Sequence, residues 1–112
     1  MHTEEELIQA IKTIDSLIMR CEKSQKKFQQ GTSQYTLLKN RLKALYISKS
    51  LIKQDSQTFT QEEFEKALPP INSIIHKCTQ AIQKHKEESV TYKRLKPSID
   101  AMLIAKDYLE DH

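Results

Sequence analysis

Residues 3–21, TEEELIQAIKTIDSLIMRC, decide the fold, because they return in outline at residues 60–78 as TQEEFEKALPPINSIIHKC. Both stretches begin with threonine and end with cysteine, at an offset of 57 residues. The correspondence extends without a gap over residues 3–55 and 60–112, and a fixed period is typical of a repeated structural unit. Because 57 residues are close to a whole number of helical turns, the apolar faces of any two amphipathic helices would match at this offset, which explains the isoleucines. It does not explain the matched cysteines, tyrosines and lysines. We therefore interpret the chain as a tandem internal repeat.

Apolar residues spaced alternately four and three apart predict a helix in each quarter of the chain. The first helix is expected over residues 4–29 and the second over about 33–54, and residues 55–59 read as a short polar connection. The second half repeats this pattern. A threonine followed three residues later by a glutamate predicts a capping box at the start of the first and third helices. These pairs are Thr3 with Glu6 and Thr60 with Glu63.

The second repeat differs from the first in its prolines. Pro69 and Pro70 fall inside the third predicted helix, and Pro97 falls inside the fourth. An interior proline removes a backbone hydrogen bond and clashes with the preceding turn, at a cost of about 3 kcal/mol. We therefore predict that the third helix is broken or kinked near Leu68 and that the fourth bends near Lys96.

Each helical hairpin has a broad apolar side that it cannot bury alone. Two hairpins can bury each other, and short connections make consecutive helices antiparallel. The predicted fold is an all-α, up-down-up-down four-helix bundle built from two tandem hairpins, with the first and third helices on one diagonal. The chain length predicts a single domain over residues 1–112.

Composition excludes several classes of protein. Charged residues make up 29% of the chain and hydrophobic residues 38%, which is ordinary for a soluble helical protein. No apolar run approaches the roughly 18 residues of a membrane span, and the acidic start shows no secretory signal. We expect a cytoplasmic protein. Two cysteines without a CxxC motif or a Cys/His cluster argue against a zinc site or a disulfide scaffold.

Positive charge is concentrated near the two predicted hairpin turns. Residues 20–43 and 76–96 together carry thirteen lysines and arginines against three acids. Bases near helix C-termini complement the helix dipole, but bases near helix starts do not. The bases near helix starts are therefore the candidate anion-binding or partner-binding residues, although a merely solvated basic face is the alternative. They are Lys39, Arg41, Lys93, Arg94 and Lys96.

Other chemistry-bearing residues favour structural roles. Cys21 and Cys78 occupy matched positions on the apolar stripe, where small core residues are expected more often than a redox pair. Lys49 and Lys106 also match, and we expect their ammonium groups to reach water or a carboxylate. Glu62, Glu65 and Asp15 are expected to lie level with Lys49. No histidine pair has metal-ligand spacing, and no glycine-rich phosphate loop occurs. We predict a protein that is not an enzyme and that uses no cofactor or metal.

Three functions stay open. The first is a small protein-interaction or regulatory module with an unspecified partner that uses the basic hairpin-turn end. The second is a toxin inhibitor, since bacteriocin immunity proteins are small basic four-helix bundles, an analogy at the level of fold alone. The third is a nucleic-acid-binding bundle, which neither a recognition motif nor an aromatic-rich basic face supports. Oligomeric state is not predicted.

Overall fold

The computed structural model describes residues 2–111, which form four α-helices. Every boundary of the third and fourth helices lies 57 residues after the matching boundary of the first and second. The all-α prediction with four helices is confirmed. The first helix ends four residues before the predicted position 29, and Phe28 is consequently 39% exposed rather than part of the apolar stripe. The helices are α1 (Glu4–Gln25), α2 (Ser33–Lys53), α3 (Gln61–Ile82) and α4 (Val90–Glu110).

Side-chain caps determine where the helices start. The hydroxyl of Thr3 accepts a hydrogen bond from the Glu6 backbone N–H at 3.1 Å, and the Glu6 carboxylate accepts one from the Thr3 N–H at 2.9 Å. Thr60 and Glu63 form the same capping box at 3.1 and 3.0 Å. In each box the backbone N–H of the threonine lowers the pKa of the glutamate. Both predicted capping boxes are therefore confirmed.

Both proline-containing helices are continuous. α3 runs from Gln61 to Ile82 through Pro69 and Pro70, so the helix is not broken near Leu68. The flanking residues are deeply buried, because Ala67 is 3% exposed and Ile71 is 0% exposed, and burial on both sides holds the segment helical despite the missing N–H groups. A bend without a break stays a prediction.

The helices pack against each other in a four-sided arrangement. α1 contacts α2 and α4, α3 contacts the same two helices, and α2 also contacts α4. Within residues 2–111, α1 and α3 have no Cα atoms within 8 Å of each other. This pattern places α1 and α3 on the long diagonal of the molecule.

The two hairpins lie side by side along part of their length. The start of α1 lies beside the end of α4, because His2 Nε2 is 2.9 Å from Asp107 Oδ2 and the rings of His2 and Tyr108 stack. Residues 3–13 line a groove with residues 97–104, and residues 63–73 line one with residues 37–47. The principal extents are 41 × 38 × 19 Å, so the molecule is broader in one direction than the roughly 20 Å of an aligned bundle.

The core contains residues of all four helices. Ile14, Leu45, Ile71 and Met102 are fully buried, one from each helix. Ser48 of α2 is also buried, and its hydroxyl donates a hydrogen bond to a carbonyl of its own helix at 2.8 Å. Among the described residues, every buried side chain lies within residues 10–18, 42–52, 64–74 and 98–109. The basic hairpin turns therefore lie outside the core.

Candidate functional site

A groove runs between α2 and α3, with a volume of about 650 Å³. Its floor is apolar and includes Ala44, Ile47 and Ala67, while Leu37 lies at its edge and is 48% exposed. Three lysines line it, and Glu63 is the acid that lines it. We call this the basic groove. The lysines are Lys39, Lys43 and Lys66.

A second groove of about 590 Å³ runs between α1 and α4. Its floor also contains alanine and isoleucine, namely Ala10, Ala101 and Ile104. Its charged lining residues are all carboxylates, and we call it the acidic groove. They are Glu5, Glu6 and Asp100.

The two grooves are built from the same repeat positions. Shifting the sequence by 57 residues carries eight lining positions of one groove onto lining positions of the other. Two of these eight positions differ in charge between the grooves. The acidic groove has Asp100 where the basic groove has Lys43, and Gln9 where the basic groove has Lys66. Equivalent backbone positions therefore present grooves of opposite charge.

The groove lysines form ion pairs with neighbouring acids. Lys66 lies 2.7 Å from Glu62, one turn away on α3, and the hydrogen bond between them lowers the pKa of Glu62 and raises that of Lys66. Lys43 reaches Glu63 at 3.7 Å across the groove. All these side chains keep contact with solvent, so each pair contributes little to stability. The lysines can exchange these partners for the carboxylates of a ligand.

The five candidate residues from the sequence occupy three different settings, which are the grooves, the exposed start of α4 and a half-buried position. Lys39 is exposed in the basic groove. Its repeat equivalent, Lys96, pairs with Asp100 at 2.6 Å beside the acidic groove, and this hydrogen bond raises the pKa of Lys96. Lys93 and Arg94 are exposed near the start of α4. The structure therefore divides Lys39 and Lys96 between the two grooves.

Arg41 is the fifth candidate and lies in the third setting. It is half-buried, and its Nε and Nη2 atoms are shielded from solvent without a hydrogen-bond partner in the described part of the chain. The repeat-equivalent position on α4 is Ser98, which is also buried. The expectation that Arg41 belongs to an exposed basic face does not fit this burial. The apolar stripe could not reveal it, because the stripe marks the apolar face of one helix and does not show which atoms the other helices shield from solvent.

The cysteines are free and half-buried, less buried than core residues. Burial raises the pKa of both the Cys21 and the Cys78 thiol, while the nearby Arg41 charge opposes this shift. A disulfide requires Cα atoms within about 7 Å, and the helices that carry the two cysteines stay more than 8 Å apart. An internal disulfide between them is therefore excluded in this conformation.

The matched lysine of the first hairpin pairs with a carboxylate, as the sequence predicts. Lys49 Nζ lies 2.6 Å from Asp15 Oδ1 across α1 and α2. Lys106 is half-buried at the equivalent position of α4. Tyr35 and Tyr92 are half-buried near the starts of α2 and α4, outside the core cluster.

Residues 2–111 contain no group of three histidine, cysteine or acidic side chains that could hold a metal ion. None of the helices in this part of the chain has the length and apolar character to cross a bilayer. Comparison of the chain with protein-family models, curated proteins and solved structures finds no match. The two grooves and Arg41 are therefore the features of this chain that bear on its function.

Proposed function

We propose that this protein is a small non-catalytic interaction module that binds an acidic segment of a partner protein in the basic groove. The observation that carries the proposal is the opposite charge of the two grooves at equivalent repeat positions. The repeat does not require these lysines, because the acidic groove has Asp100 in place of Lys43 and Gln9 in place of Lys66. Lys39 keeps a lysine, Lys96, at its equivalent position. The proposal places the protein in the cytoplasm and treats residues 3–55 and 60–112 as superposable hairpins of an up-down-up-down bundle.

The floor of the basic groove provides the apolar contact that a protein segment needs. Ala44 and Ala67 are buried, and they keep the floor shallow because they carry only a methyl group. Leu37 adds an exposed apolar edge on α2. The lining residues span positions 37–47 of α2, a length of about 15 Å along a helix. That length matches two to three turns of an amphipathic segment with apolar residues on one side.

The rim of the groove selects for negative charge. Lys39 is exposed, and Lys43 and Lys66 pair with acids that are themselves partly exposed. Carboxylates of a partner can replace these acids at small cost, because exposed ion pairs contribute little to stability. A field of exposed lysines acts chiefly on the rate of association. We therefore expect binding that weakens with salt.

The prolines add a further polar feature to the same groove. Pro69 and Pro70 both line it. Proline has no backbone N–H, so the carbonyl groups of Glu65 and Lys66, four residues earlier, receive no hydrogen bond from these positions. These carbonyls can accept hydrogen bonds from donors of a bound segment.

Variants of the lysines test the proposal. A variant with Lys39→Gln, Lys43→Gln and Lys66→Gln should lose at least tenfold in affinity for the partner captured from host lysate, with the loss mainly in the association rate. Lys96→Gln, the repeat equivalent of Lys39, is the matched control and should bind normally. Equal binding by the triple variant and the parent at low and moderate salt would exclude the basic groove as the binding site.

Two further outcomes separate the alternatives. If the double variant Lys93→Gln and Arg94→Gln loses binding while the groove variant keeps it, the binding site lies at the start of α4 instead. Salt-dependent binding of a DNA duplex by the parent protein would favour the nucleic-acid function. Recovery of a toxin as the captured partner would favour the inhibitor.

A further inference from the structure

Arg41 lies where the two hairpins meet. It belongs to α2, one residue before the buried part of that helix begins at Leu42. The equivalent position of α4 is Ser98, which is 6% exposed. The repeat therefore has a long arginine on one hairpin and a small serine at the equivalent position of the other.

The guanidinium group of Arg41 presents an unused pair of donors. Its Nε and Nη2 atoms are both shielded from solvent, and neither has a hydrogen-bond partner within residues 2–111. These two nitrogens form one edge of the guanidinium plane. Their N–H groups point the same way and match two oxygens of one carboxylate or phosphate. Buried donors without partners are rare in folded proteins, because a polar group that is removed from water without gaining a hydrogen bond destabilises the fold.

The surroundings of this edge are positive. Burial raises the pKa of the Cys21 and Cys78 thiols, and the charges of Arg41 and Arg20 oppose that rise at both. Glu22 is the acid that acts on the Cys21 thiol. No ion pair links Arg41 to a carboxylate in the described part of the chain. Because the two cysteines are only half-buried, solvent approaches this layer from the side of the hairpin turns.

We propose that the Nε–Nη2 edge of Arg41 is a binding site for an oxyanion that presents two adjacent oxygens, a carboxylate or a phosphate, between the two hairpins. The oxyanion accepts both N–H groups and neutralises the guanidinium charge. A bound anion then holds the α1–α2 hairpin to the α3–α4 hairpin just beyond the apolar core.

Thermal unfolding with inorganic phosphate, sulfate and acetate tests this site, with sodium chloride at matched ionic strength as the reference. An anion that binds only the folded protein lowers the unfolding equilibrium constant by the factor 1 + [L]/Kd, about 100-fold at 100 times Kd. We expect a rise in Tm over the chloride reference. A rise with phosphate and sulfate identifies a free tetrahedral oxyanion, and a rise with acetate alone identifies a carboxylate.

Variants of Arg41 show whether the effect belongs to this edge. Arg41→Met and Arg41→Lys should both lose the anion-dependent rise, because lysine keeps the charge but not the paired donors. Lys53→Met should keep it, because Lys53 is an exposed lysine of the same helix that lines neither groove. If Arg41→Met does not fold, the Arg41→Lys variant still shows whether the rise in Tm requires the paired donors. The Nε–H resonance of Arg41 in NMR spectra of the parent protein is a second readout, because a bound anion should shift it. A rise that persists in both Arg41 variants, or no rise and no shifted resonance in the parent, overturns the proposal.

Discussion

Replacing Pro69 by alanine should stabilise the protein. Pro69 is exposed in the interior of α3, where its ring leaves the carbonyl of Glu65 without a helical donor. Alanine is favoured over proline in a helix interior by about 3 kcal/mol. The more flexible unfolded chain of the alanine variant offsets about 0.4–1 kcal/mol of this gain. The expected net increase in the free energy of unfolding is therefore about 2 kcal/mol.

Urea and thermal unfolding followed by far-UV circular dichroism measure this change. For a domain of 112 residues, about 2 kcal/mol corresponds to a rise in Tm of roughly 8 °C. The matched control is Lys12→Ala, because Lys12 occupies the equivalent position of α1, is exposed and carries no proline ring. Its effect should stay within about 0.5 kcal/mol.

The result also decides whether α3 is bent. If Pro69→Ala leaves stability unchanged or lowers it, the helix already bends to accommodate the proline, and alanine then gains no hydrogen bond in that geometry. That outcome would refute the argument that packing around Ala67 and Ile71 holds a strained segment straight. A gain near the expected size supports it.

Three further predictions follow from the core, the caps and the cysteines. Ile14→Ala and Ile71→Ala, at equivalent positions that are both 0% exposed, should each lower the free energy of unfolding by about 3–4 kcal/mol in urea denaturation, and clearly unequal losses would argue against equivalent layers. The capping-box glutamates Glu6 and Glu63 have pKa values lowered from 4.5. The stability that they contribute is therefore present above pH 4.5 and is lost as the pH falls through their folded pKa values. When both are changed to glutamine, the urea midpoint should fall less between about pH 6 and pH 3 than it does in the parent protein. Cys21 and Cys78 should react slowly with a thiol reagent in the folded protein, because burial raises the pKa of both thiols, and rapid labelling of both would contradict this.

The sequence was most informative about local structure. The spacing of apolar residues and the Thr-x-x-Glu pairs indicated four helices and two capping boxes, and both features are present. These signals act within a few residues of each other, so they do not depend on how the helices assemble. The apolar spacing puts the end of α1 too late, because Phe28 continues that spacing although the chain has already turned after Gln25.

The candidate site was only partly accessible from the sequence. Charge counting found Lys39 near a helix start, but it did not find Lys43 and Lys66 as its companions across a groove. A signal for them existed, since the repeat alignment pairs Lys43 with Asp100 and Lys66 with Gln9. Opposite charge at equivalent positions becomes meaningful only when those positions are known to line grooves.

By itself, the sequence determined the number of helices, their starts and the 57-residue correspondence between the two halves. Only the tertiary structure decided which helices pack together, that the two grooves carry opposite charge and that two guanidinium nitrogens of Arg41 are shielded from solvent. The physical reason is that periodicity marks the apolar face of each helix, whereas the packing of two helices depends on how the side chains of two such faces interlock. Ala44 lies where α2 faces α3 and Ala101 lies where α4 faces α1, so these contacts join helices that are distant in the chain.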